Sequence, residues 1–460
     1  MPSIRSDPDR IDPALLRLMG VLLAGASAAL LDTTIVAVAI SDLTRAFDTT
    51  VQVAQWATTA YLLAMAAAIP LMGWLTDRWG ARRVWLGTLW LFLAGSILCG
   101  LAWSIGSLIA FRVVQGLGGG LILPLVQAVL ARAAGPRRMG RAMGLIGIPG
   151  QLAPILGPVL GGIILGTLGW RWIFFVNAPL CLLAIALAHR HLHPADEPRP
   201  SALDRLGALL AVPATVAILA GLSLAGEAPD VSVALLVDGA VLLTWFVLRS
   251  LRRGDRALLD LRLLRQRTFA VATAMMLLSG ACLYGPMLLL PLHYQLARGF
   301  PVDQVGWLLA PQGAGLAAGL LVAGRWADRT GPRIVALTGT ALAAAGLGVF
   351  AAAGDASLVV LSAGLAALGA GLGGIGVAVS ATSYRDVAPV AIPRATSLLT
   401  VVQRIGASFG TVLAALVLER QLAAAPDAGT AFAHTFTWTI ALLAVVLAVT
   451  LLLPARPPAR

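Results

Sequence analysis

The feature that most constrains this chain is a run of eighteen or more mostly apolar residues that keeps returning from end to end. Fourteen such runs lie at roughly 15–40, 50–74, 84–102, 104–131, 140–166, 172–190, 204–224, 231–248, 268–293, 304–324, 334–352, 356–382, 395–418 and 434–454. A hydrocarbon core about 30 Å thick needs about 20 apolar residues in a helix, so each run is long enough to cross a bilayer. Barrel strands would be shorter and would alternate strictly between apolar and polar residues, which these runs do not. The pattern predicts an all-α polytopic membrane protein with 14 transmembrane helices. Only 12% of the residues are charged and the mean hydropathy is +0.88, which excludes a water-soluble domain of ordinary composition.

A net charge of +12 would suit a nucleic-acid partner, but its distribution does not. All 33 basic residues are Arg, with no Lys. With the N-terminus placed inside, 27 of them fall in inner loops and tails, while Arg45, Arg171, Arg298 and Arg420 lie outside and Arg112 and Arg404 lie within spans. This is the positive-inside pattern, and an even number of spans predicts both termini in the cytoplasm. The opening "MPSIRSDPDR" has no signal-peptide pattern, so the first span is expected to target the chain. Arg without Lys fits a GC-rich bacterial genome, and a bacterial cytoplasmic membrane is the expected location. Cys99, Cys181 and Cys282 all fall inside spans without paired spacing and read as small buried residues. His189 and His193 share a helical face but have no acidic or Cys support, so no metal is expected, nor any cofactor.

A charged phrase appears twice, as "GWLTDRWGAR" at 73–82 and "GRWADRTGPR" at 324–333, with Asp77 and Asp328 offset by 251 residues. Around it, "QGLGGG" at 115–120 corresponds to "GAGLGGIG" at 369–376, and the segment from Arg141 corresponds to that from Arg394. The offset exceeds the length of six spans by the length of spans seven and eight. The expected organisation is therefore a six-helix bundle over 1–193, two inserted helices with an arginine-rich loop over 194–265, and a second six-helix bundle over 266–460. Parallel repeats of six spans place a substrate site between the halves near the midplane. Both copies of the phrase fall in short inner loops, where Gly73 and Gly80 allow tight turns and close approach. Asp77 could accept backbone N–H groups at a helix N-terminus. Arg78, Arg82 and Arg83, with Arg329 and Arg333 near Asp328, could hold helix ends or acids across the interface. The expectation is an ionic inner gate.

Taken together, these motifs resemble the fourteen-spanner drug:proton antiporters of the major facilitator superfamily over essentially the whole chain. "GWLTDRWGARR" resembles the superfamily's loop signature, and "RVVQGLGGG" from Arg112 resembles a fourth-helix signature implicated in proton transfer. "GPVLGG" (Gly157, Pro158, Gly161, Gly162) resembles the antiporter signature of the fifth helix, with Ala153 in place of one glycine. "LDTTIVAVAI" at 31–40 and "QWATTAYLLA" at 55–64 resemble first- and second-helix signatures of fourteen-span exporters. The resemblance implies the major facilitator fold and proton-coupled export of small amphipathic drugs or natural products by alternating access. Its implied partners are protons, substrate and the lipid bilayer, with the chain acting as a monomer.

Ionisable residues inside spans are expensive and mark function by default. Asp32 and Arg112 fall at equal depth near the outer ends of spans one and four, so they could touch. Either could serve proton coupling or a cationic substrate, and Asp238, mid-span in the inserted pair, is a weaker candidate. Gln55, Trp56, Tyr61, Gln127, Gln151, Tyr284, His293, Tyr294, Gln312 and Arg404 could line a cavity. Other functions find less support. Without Lys there is no phosphate-binding loop for an ATP-driven pump, and no span carries the constellation of a membrane enzyme. A lipid flippase or uniporter of the same fold is the alternative.

Overall fold

In this computed structural model the described residues are 12–192, 202–226, 228–254, 257–352 and 356–453. The side chains of Gln151, Pro158 and Asp328 fall outside the description, as does the boundary expected at residue 193. Sixteen α-helices form among the described residues, and none of these residues is in a strand. In the first half they are α1 (Pro13–Val38), α2 (Ile40–Ala46), α3 (Val51–Ala68), α4 (Met72–Trp79), α5 (Ala81–Gly100), α6 (Ile105–Thr167), α7 (Trp172–Phe175) and α8 (Asn177–His191). The inserted pair is α9 (Arg205–Ser223) and α10 (Pro229–Arg253). The second half holds α11 (Arg267–Leu292), α12 (Val302–Thr330), α13 (Pro332–Ala352), α14 (Leu358–Ser383), α15 (Ile392–Ala424) and α16 (Ala428–Thr450).

Thirteen stretches are long and apolar enough to cross a membrane among the described residues. The α3–α4 pair counts as one such stretch, continued through a single 3₁₀ turn at Ile69–Leu71. The apparent 63-residue helix α6 is two helices, because Gly135 breaks it with φ 66° and ψ 174°. A straight α6 would be about 95 Å long, three times the hydrocarbon thickness, so a residue that tolerates positive φ is required there. The remaining expected span, 140–166, lies on the arm after this break.

Glycines explain why α6 and α14 take central places in their halves. A side chain at Gly116 would strike the Tyr61 carbonyl on α3, and one at Gly118 would strike the backbone of Phe92 on α5. In the second half, Gly371 faces Gly339 and Ala343 on α13, and Gly373 faces Leu316 on α12. Both glycine runs therefore let one helix lie directly on two neighbours, where small residues permit van der Waals packing that lipid cannot supply. The halves meet at the face rich in arginine, called the inner face below. There Gly144 on α6 lies against the Leu320 backbone on α12, and Arg132 donates to the Pro389 carbonyl at 3.0 Å.

The inserted pair is asymmetric in its contacts. Helix α9 packs against both α3 and α15, so it spans the seam between the halves, whereas α10 packs mainly on α9. Asp204, buried at the start of α9, caps the Gly207 N–H and pairs with Arg249 at 2.9 Å and Arg253 at 3.2 Å on α10.

Candidate functional site

Asp32 lies six residues before the end of α1, and Arg112 lies seven residues after the start of α6. At 1.5 Å per residue both sit about 10 Å below the outer helix ends. Equal depth is realised as contact. Arg112 Nη1 donates to Asp32 Oδ2 at 2.6 Å, and neither side chain is exposed at all. The guanidinium also donates from Nη1 to Gln115 Oε1 at 2.7 Å and from Nε to the Ala57 carbonyl at 2.9 Å. Its carbon stands 3.9 Å from the centroid of the Tyr61 ring, a cation–π contact.

The second carboxylate oxygen is held as closely. Asp32 Oδ1 accepts from Gln115 Nε2 at 2.8 Å and from Asn177 Nδ2 at 2.9 Å. Ser96 accepts from both amides, at 3.2 Å and 3.0 Å, and donates to the Phe174 carbonyl at 2.8 Å. One network thus joins α1, α3, α5, α6, α7 and α8. The hydrogen bonds to Asp32 come from the side-chain N–H groups of Arg112, Gln115 and Asn177. Arg112 Nη2 and Asn177 Oδ1 are buried without a partner, so the network holds a spare donor and a spare acceptor. An apolar cluster that includes Ile35, Val36, Ala54, Ala57, Cys99, Leu108, Ile173 and Phe174 forms the second core of this half, around the site and toward its outer end.

The site's partners were only partly foreseeable. Gln115 shares a helical face with Arg112 three residues away, and that spacing is a readable signal. Asn177 is a polar residue opening an apolar run, a weaker signal, and Ser96 carries none.

The other expected site residues are scattered. Asp238 is exposed on α10 and the structure does not bring it to Asp32. Tyr61 is fully buried against Arg112 instead of lining open space. His293 and Tyr294, expected in the cavity, are buried in an aromatic cluster. The His293 ring meets Phe350, Phe432 and Phe436 edge-on at 5.4–5.7 Å, so packing against α13 and α16 claims it. Gln55, Trp56 and Tyr284 are exposed, while Gln127, Gln312 and Arg404 are half-buried.

At the inner face Asp77 pairs with Arg394 of the other half, accepting from Nε at 3.0 Å and Nη2 at 2.8 Å. This corrects two expectations. Asp77 stands in the last turn of α4 and caps no helix N-terminus, and its partner comes from outside the repeated phrase. Arg78, Arg82, Arg83, Arg329 and Arg333 make no ion pair among the described residues. Gly73 permits the pairing, since a Cβ there would stand 2.7 Å from Arg394 Cγ. Gly80 and Gly331 end α4 and α12 with φ of 78° and 91°, so the two phrases form the same turn. Ser397 Oγ donates to the Ile69 carbonyl beside this gate.

The fifth-helix glycines bear on α1 next to Asp32. A side chain at Gly157 would overlap Thr34, and one at Gly161 would stand 3.0 Å from Ile35. Gly162, expected to pack likewise, meets nothing within 4 Å.

A sequence profile of the Major Facilitator Superfamily matches residues 22–302 and 272–460. The chain is 40% identical over 425 residues to the multidrug resistance protein B homolog of Mycobacterium tuberculosis, covering 91% of this chain and 78% of that one. It is 32% identical over 331 residues to the drug efflux pump JefA of the same organism, covering 70% of this chain and 65% of that one. Among solved structures, the human organic anion transporter MFSD10 superposes with a TM-score of 0.63 at 18% identity, over 94% of this chain and all 100% of that one. The proton:xylose symporter XylE superposes with the same TM-score of 0.63 at 14% identity, over 94% and 96%. These two likenesses concern the fold alone.

Proposed function

The chain belongs to the Major Facilitator Superfamily, and from that premise we propose that it is a proton-coupled exporter of amphipathic compounds, working by alternating access in a bacterial cytoplasmic membrane. Its relatives' names as multidrug resistance and efflux proteins support export of drug-like molecules. The arm after Gly135 serves as a fourteenth span, which returns both termini to the cytoplasm in accord with the arginine distribution.

The observation that carries proton coupling is the enclosed Asp32–Arg112 pair. The network around this ion pair holds six helices together only while the carboxylate is charged. Protonation of Asp32 removes the charge that Arg112 and two amides converge upon, and the network must rearrange. Helix α1 is the element that moves, and it carries Thr34 and Ile35 against Gly157 and Gly161. The hydrogen bonds joining the halves among the described residues all lie at the inner face, so this conformation is closed inward. In the cycle a proton enters from outside, discharges Asp32, and releases the halves to open inward. Proton loss to the cytoplasm and substrate binding then reset the pair.

Asp32→Asn keeps the size and most hydrogen bonds of the carboxylate but removes its titration. In proteoliposomes with an imposed pH gradient, uphill substrate accumulation should disappear while downhill movement persists. Accumulation that survives together with substrate-induced proton flux would sink the assignment.

A further inference from the structure

Arg404 stands on α15 ten residues beyond Arg394, which places it about 15 Å deeper than the inner gate and near the bilayer midplane. It lies seven residues, two helical turns, beyond Ser397, whose hydroxyl reaches the Ile69 carbonyl of the opposite half, so it shares the face of α15 turned toward the seam between the halves. The residue is half-buried, and no hydrogen bond or ion pair engages its guanidinium among the described residues. Nor does an acid among the described residues serve it. Of 21 acidic residues only Asp32 and Asp238 fall mid-span. Asp32 is enclosed with its own arginine, and Asp238 is exposed on the outlying helix α10. Asp77, the acid on the inner side, is taken by Arg394.

A cation at this depth with no counter-charge is costly, and such residues face a water-filled or ligand-filled path. The unpaired guanidinium makes its surroundings electropositive in this conformation. Protonating Asp32 would leave the Arg112 guanidinium without its counter-charge and add no acid. A lipophilic cation would meet only like charge there.

We propose that Arg404 anchors the substrate, and that the substrate class is amphipathic organic anions carrying a carboxylate or sulfonate on an apolar body. This rests on the exporter reading and gives its substrate a charge. A guanidinium meets either acid group through two parallel N–H donors, which is the geometry that favours Arg over Lys at such sites. Exchange of one inward proton for one outward anion moves two charges in the same electrical sense. A negative-inside potential then drives export alongside the pH gradient, unlike the electroneutral exchange of a proton for a monovalent cation.

The test uses the full chain in lipid nanodiscs, with 1-anilinonaphthalene-8-sulfonate as the anion and tetraphenylphosphonium as the cation. Equilibrium dialysis gives the affinities, with empty nanodiscs subtracted. The anion should bind more tightly than the cation. Arg404→Gln should weaken the anion about tenfold to a hundredfold, the range of a charge-assisted hydrogen bond, and leave the cation unchanged or improved. Arg404→Lys should retain a clear part of the anion affinity, which keeps the test decisive if the Gln variant misfolds. Wild-type preference for the cation, no detectable anion binding, or an Arg404→Gln protein within twofold of wild type would overturn the inference. A cation preference with proton-coupled export intact would defeat this inference and spare the exporter reading. Anion binding without proton coupling would do the reverse.

Discussion

Asp32 and Arg112 depend on each other, because removing one charge leaves the other buried without compensation. Breaking such a pair from one side costs about 3–5 kcal/mol, whereas removing both charges costs much less. Arg112→Gln should therefore lower the thermal unfolding temperature in detergent markedly. Adding Asp32→Asn to it should restore part of the loss, with a coupling of about 1 kcal/mol or more. Additive losses would mean that the 2.6 Å contact contributes no mutual stabilisation. The two residues stood out in the sequence because intramembrane charge is costly. Their partners Ser96 and Asn177 were not, because an isolated Ser or Asn in an apolar run is compatible with many burial patterns and only the fold selects one.

At the scale of elements, the inserted pair holds together through a buried acid. Asp204 joins the start of α9 to the end of α10 through two arginines, and its side chain is only 2% exposed. Asp204→Ala should loosen this hairpin, with faster hydrogen exchange across 205–253 and little change within α11–α16. Since α9 touches both α3 and α15, the same variant should also alter transport rate. Unchanged exchange would show that apolar packing alone holds the pair. Sequence reasoning set the pair apart as an insertion because it lacks a counterpart in the repeat. The structure lays α10 mainly on α9 and puts α9 on the seam between α3 and α15, a place that depends on tertiary packing no residue within it announces.

At the scale of the whole molecule, the Asp77–Arg394 bridge joins the halves on one face. Its two short hydrogen bonds are charge-assisted and mostly shielded, worth about 1.5–3 kcal/mol. Asp77→Asn should shift the population toward the inward-open state roughly tenfold, read as more labelling of single cysteines at the inner face and less at the outer. Exchanging the charges, Asp77→Arg with Arg394→Asp, should recover the wild-type pattern; equal labelling in all three proteins would reduce the bridge to decoration of a turn. The all-α membrane architecture, the crowded glycines and the two charged residues worth watching were legible in the sequence alone. They follow from local or periodic constraints: hydrocarbon thickness, backbone proximity, and the expense of charge in lipid. Which acid meets which arginine was decided only by the tertiary structure. Asp32 found Arg112 80 residues away and Asp77 found Arg394 317 residues away, while no acid among the described residues meets Arg404. Ion pairing acts over a few ångströms in space and is indifferent to distance along the chain, so only the packed helices could make that choice.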